Sequence, residues 1–114
     1  MKTDPRPSEL HRKQTREYHD ILIPALCEVE RRNGYAIAVH DSLERDIDLV
    51  AIPWTETATP CEYLVQDILK VVESVFHVDR IIGPTLKLHG RVNYLIYLCS
   101  KHYIDLSIRP RIDK

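Results

Sequence analysis

The chain has 114 residues, 44% hydrophobic and 29% charged, with a formal net charge of −1 at pH 7. That is room for one domain with a real core, and the composition excludes a disordered, fibrous or disulfide-scaffold protein. The near-neutral balance excludes a grip on nucleic acid by bulk charge, leaving only a local basic surface, to which six His can add charge below neutral pH.

Residues 1–7 carry Pro5 and Pro7 with little apolar content and read as a flexible N-terminal arm, so that 8–114 form the single folded domain. No apolar run approaches a membrane span and the first residues hold no signal-like apolar stretch, which implies a cytoplasmic protein with no membrane partner. Cys27, Cys61 and Cys99 are odd in number and lack a CxxC pair. They fit a reducing compartment, and each thiol is expected as a small core residue.

Ser8 can cap a helix running to about residue 32, whose set Tyr18, Ile21, Leu22, Ala25, Leu26 and Val29 forms one apolar stripe. Pro24 lies within that stripe, so the helix either kinks or begins anew there. Asn33-Gly34 supplies the stop. Strands are expected over 35–40 and 47–53; the short link 41–45 makes them neighbours, and their continuous apolar character predicts burial on both faces. A second helix starts at Thr59 as N-cap with Pro60 behind it, and Tyr63, Leu64, Ile68, Val71, Val72, Val75 and Phe76 carry it to about residue 77. Gly83-Pro84 marks a turn, followed by a short strand over 85–88 and stronger ones over 92–100 and 103–108. Lys101-His102 reads as a two-residue hairpin between the last two. The expected fold class is α+β, in the order α-β-β-α-β-β-β: a mixed sheet of four to five strands with two main helices packed against it.

The chemistry concentrates in Arg45-Asp46-Ile47-Asp48-Leu49-Val50. Residues i and i+2 of a strand share a face, so Asp46 and Asp48 project side by side. Like charges that close call for a cation, and hard Mg²⁺ or Mn²⁺ suits carboxylate oxygens. Tyr103-Ile104-Asp105-Leu106 sets a third acid inside an apolar strand, where an unpaired carboxylate is costly. Three such acids on neighbouring strands suit metal-assisted phosphoryl transfer. Asp41-Ser42, just upstream, can offer backbone amides to a phosphate. Lys87, His89 and Arg91 share parity unless Gly90 breaks the strand, and are either phosphate contacts or the solvated side of an edge strand; Arg109 shares parity with Asp105 and pairs either with the acids or with substrate phosphate. His40 is either a ligand contact or a packed strand end. Trp54 reads better as a cover for the core edge than as a base-stacking platform. His11, His19, His77 and His102 show no metal-ligand spacing and read as surface residues.

The run Ala38-Val39-His40-Asp41-Ser42, then Asp46-Ile47-Asp48-Leu49, then Ile104-Asp105-Leu106 resembles the nucleotidyltransferase superfamily, the DNA polymerase β-like fold, over about residues 34–109. Its signature is a strand, a Gly-Ser or Gly-Gly turn, a pair of acids one residue apart, and a lone acid in a later strand. The resemblance leans toward small single-domain phage and bacterial members. It implies Asp46, Asp48 and Asp105 as metal ligands and catalytic acids, Mg²⁺ or Mn²⁺ as cofactor, Ser42 on phosphate, and an NTP or other nucleotide as ligand with an RNA, protein or small-molecule hydroxyl as acceptor. Larger members hold base and acceptor with an extra helical domain, so a chain of this length implies a homo- or hetero-oligomeric partner. The pattern departs at Asp41, which stands where the family turn has Gly and puts bulk and negative charge beside the phosphate position. Two readings follow: a nucleotidyl-transferring enzyme, or a non-catalytic nucleotide- or protein-binding member, such as an antitoxin-like or phage-encoded inhibitory factor.

Overall fold

A computed structural model describes residues 9–39 and 46–111. The 1–7 arm, Ser8, His40, Asp41 and Ser42 lie outside the described residues. Among these residues the order is α1 (Glu9–Asn33), β1 (Tyr35–Val39), β2 (Ile47–Pro53), α2 (Cys61–Val75), β3 (Val78–Leu86), a single 3₁₀ turn (Leu88–Gly90), β4 (Val92–Leu98) and β5 (Tyr103–Ile108). The strands form one mixed sheet in the order β1-β2-β5-β4-β3. β2 runs parallel to β5, and the other neighbours are antiparallel.

Both helices cover the same face of the sheet. Leu22, Leu26 and Val29 of α1 and Leu64, Val65, Ile68 and Val72 of α2 meet Ile47, Leu49 and Ala51 of β2, Ile104, Leu106 and Ile108 of β5, and Tyr94, Ile96 and Leu98 of β4 in one core. The alternate residues of β2 and β5 are only half-buried or exposed. The expectation of burial on both faces is therefore wrong. β2 pairs with a parallel strand as buried sheets do, but two helices cannot cover two faces of five strands.

α1 neither restarts nor breaks at Pro24. Pro24 and Asp20 are both exposed, so water can take the carbonyl that loses its donor. Gly34 ends the helix at φ +76, and its missing Cβ leaves room for Thr55 Oγ1 and Ala58. Thr59 does not cap α2. Its hydroxyl donates to Oδ1 of the buried Asn33 at 2.7 Å, whose amide donates to Asp67 at 2.9 Å, so Thr59 ties α1 to α2 instead.

Gly83-Pro84 is not a turn between elements but lies inside β3, where the pairing register with β4 shifts between Ile82 and Thr85. Gly83 at φ +139 passes so near Asn93 O and Tyr94 that a side chain would collide. The β4–β5 connection is also longer than expected. Lys101 N–H donates to Leu98 O at 3.2 Å, Leu98 N–H to His102 O at 2.9 Å, and Lys101 has φ 68. That is a three-residue loop with a left-handed third residue.

Three further expectations fail. Cys27 and Cys99 are exposed, and of the three cysteines only the half-buried Cys61 packs against the core. Trp54 is 68% exposed and covers no core edge. His102 is buried at 2% exposure: its ring stacks on His11 with centroids 3.9 Å apart, next to Tyr18. No described helix is long and apolar enough to cross a membrane.

Candidate functional site

The uncovered face of the sheet carries the candidate chemistry because the alternation of β2 and β5 puts their acids there. In the parallel register Asp48 stands directly beside Asp105. Ile47 pairs with Ile104, which leaves Asp46, one residue before β2, next to Tyr103. One carboxylate oxygen from each of Asp46, Asp48 and Asp105 lies within 4.8 Å of the others, and all three residues are half-buried. Two unit charges at that separation repel by about 3.5 kcal/mol at an effective dielectric of 20, so the cluster favours a cation.

The donor set fits one. All three ligands are hard oxygens, the preference of Mg²⁺ and Mn²⁺. Opposite ligands of Mg²⁺ stand about 4.2 Å apart at its usual bond lengths, so small side-chain rotations would bring these oxygens onto an ion.

Two neighbours that sequence reasoning missed hold the acids. Asn93 Nδ2 donates to Asp105 Oδ1 at 2.5 Å and to Leu106 O at 3.2 Å. The Tyr103 hydroxyl hydrogen-bonds Asp46. Burial foremost, then the Asp46 charge and that bond, then the charges of Asp105 and Asp48, push the Tyr103 pKa above its usual 10.0. The signal for Tyr103 was its shared parity with Asp105; for Asn93 it was the hairpin register, which the misread loop hid.

A cleft of 550 Å³ on this face is bordered by Asp48, Asp105, Asn93, Lys87, Arg91 and Arg109, among others. Three of the five predicted phosphate contacts therefore sit with two of the acids, and a fourth, Ser42, lies outside the described residues. His89 does not sit with the acids. The parity of Lys87, His89 and Arg91 is broken by the 3₁₀ turn, in which His89 takes φ 63, and Lys87 N–H closes the loop on Arg91 O at 2.7 Å. His89 borders an adjoining hollow instead. A larger hollow of 810 Å³ is lined by α1 alone and brings no second element to bear.

No family model and no curated protein sequence matches the chain. Its fold does match solved structures. The Cid1 poly(U) polymerase with MgGTP bound superposes with a TM-score of 0.60 at 11% identity, over 93% of this chain and 34% of that one. GLD-2 in complex with RNP-8 gives 0.56 at 14% identity, over 90% and 34%. GLD-2, a non-canonical poly(A) polymerase, in complex with GLD-3 gives 0.52 at 15%, over 91% and 36%. The chain thus spans about a third of the length of these neighbours. Two helices on one face of a five-stranded mixed sheet, with the acid pair and the lone acid side by side on β2 and β5, give this chain the nucleotidyltransferase-like fold.

Proposed function

We propose that the chain is the acid-bearing part of a metal-dependent nucleotidyltransferase, which moves a nucleotidyl group from an NTP to a hydroxyl acceptor. The observation that carries this reading is the convergence of Asp46, Asp48 and Asp105 beside Lys87, Arg91 and Arg109. Asp46 and Asp48 would hold Mg²⁺ or Mn²⁺ with Asp105 alongside. When bound, such an ion neutralises phosphate charge and polarises the reacting oxygens.

The chain's own groups do the rest. Asp105, fixed by Asn93, takes the proton of the acceptor hydroxyl. The freed oxygen attacks the α-phosphorus, the bond to the bridging oxygen of the β-phosphate breaks, and pyrophosphate leaves with that electron pair. Tyr103 holds Asp46 in place through its hydroxyl. By the resemblance Ser42 would hydrogen-bond donor phosphate and Lys87 would offset its charge, while Arg91 and Arg109, with His89 at the margin, would meet phosphate further along the cleft. RNA is the acceptor class that the RNA terminal uridylyl transferase activity of Cid1 favours, and GLD-2 assembling with RNP-8 or GLD-3 supports a partner chain here too. A cytoplasmic setting suits the three free cysteines.

Asp41, where the family turn has Gly, favours a second reading: a nucleotide- or protein-binding member of the fold without catalysis. Incubation with labelled NTPs, Mg²⁺ or Mn²⁺ and candidate acceptors separates the two. The enzyme reading expects label transfer that Asp48→Asn abolishes; transfer surviving that change sinks the mechanism. Metal-independent nucleotide binding without turnover would support the second reading. If Asp41 crowds the phosphates, Asp41→Gly strengthens NTP binding.

A further inference from the structure

The acid cleft runs into a second hollow of 540 Å³, lined by Ile52, Pro53, His89, Arg91, Arg109 and Pro110. Ile52, Arg91 and Arg109 border both. The hairpin register explains the convergence. Val92 pairs with Ile108, so Arg91 stands opposite Arg109 one step further out, and the left-handed turn at His89 adds an imidazole to the same end. Both arginines are exposed, in a chain whose net charge is −1. Their mutual repulsion mirrors that of the aspartates at the other end of the face and calls for an anion. The floor beneath them is apolar: Ile52 is 40% exposed, with Pro53 and Pro110 beside it.

This end of the face is not where a donor triphosphate belongs. Arg109 lies four residues beyond Asp105 along β5, roughly 13 Å at strand rise, at the opposite end of the face from Asp46. Stacked nucleotides advance about 3.4 Å each, so the run accommodates about four of them. Paired guanidiniums over an apolar floor suit a backbone of phosphates carrying base faces. A protein or small-molecule hydroxyl would leave that track unused.

We propose that this second hollow is the acceptor subsite, and that the acceptor is a single-stranded polynucleotide. Its terminal hydroxyl lies at Asp105 and its backbone runs over Arg91 and Arg109 toward Pro110. The assignment rests on the transfer reading above for its purpose, but the binding itself needs neither metal nor NTP.

The test is fluorescence anisotropy of the full chain with end-labelled oligouridylates and oligoadenylates of two to ten nucleotides, in EDTA and without NTP. Affinity should climb with length to about four nucleotides, then level off, and should fall with added salt. Arg91→Gln and Arg109→Gln should each weaken binding about tenfold and flatten the salt slope by about 0.7. Arg109→Lys should retain most of the affinity, with thermal melting unchanged in all three variants. Affinity that does not grow with length from two nucleotides upward, or that both Gln variants leave intact, overturns the subsite. The two readings fail separately: oligonucleotide binding through the arginines without label transfer refutes the enzyme and supports the subsite. Transfer to a protein or small molecule by a chain that binds no oligonucleotide does the reverse.

Discussion

Asn93 offers the sharpest test of how the acid cluster is built. Its amide donates to Asp105 at 2.5 Å and to the Leu106 carbonyl at 3.2 Å, reaching diagonally across the hairpin from its register partner Ser107. Asn93→Ala removes one charge-assisted hydrogen bond and one neutral one, worth roughly 1.5–3 and about 1 kcal/mol where water is excluded. The face is open and Asn93 only half-buried, so water recovers much of this, and a stability loss of about 1–2 kcal/mol is expected. The larger effect falls on metal affinity. Without its donor, Asp105 can rotate away from Asp46 and Asp48, and loss of such an outer partner typically costs roughly 10–100-fold. Mn²⁺ titration by calorimetry or electron paramagnetic resonance, paired with urea denaturation, measures both quantities. Asn93→Asp sharpens the test by adding a fourth carboxylate, which should destabilise the metal-free chain further and be rescued by Mn²⁺. If Asn93→Ala binds Mn²⁺ within about twofold of wild type, well below the expected loss, Asn93 is merely a strand-pairing residue and the reasoning fails.

His102 is held neutral by burial, which pushes its pKa below the usual 6.5. A depressed folded pKa means stability fully present above the unfolded value and lost as pH falls through the folded one. The wild-type urea midpoint should therefore drop from pH 7 toward pH 5 more steeply than that of His102→Gln; parallel profiles would refute the burial argument. Leu106→Ala, at 0% exposure in the middle of β5, should cost about 3 kcal/mol in urea unfolding with an unchanged m-value. Gly34→Ala forces a side chain into φ +76 against Thr55 Oγ1 and Ala58, and should cost about 1–3 kcal/mol; a melting temperature equal to wild type would count against that close approach.

The acid pair, the third acid and the order of elements were legible in the sequence because each rests on local rules. Strand parity puts Asp46 and Asp48 on one side, and apolar spacing marks both helices. β2 and β5 have the residue bounds that their composition suggests. The difficulty lay with residues whose role depends on register. A two-residue loop at Lys101-His102 would pair Asp105 with Leu98; the three-residue loop actually present pairs it with Leu95 and brings Asn93 within reach of its carboxylate. One turn thus decided which polar side chain supports the site.

By itself the sequence determined the fold class and the acids of the cluster, since strand alternation turns Asp48 and Asp105 away from the apolar neighbours that fill the core. Tertiary structure alone decided which face stays open, because that depends on where two helices find room to pack. It buried His102, through stacking on a helix 91 residues away in sequence. It also set Arg91 beside Arg109 and moved His89 away from the acids, through a left-handed turn and a register shared between strands. Neither is written in the local spacing of those residues.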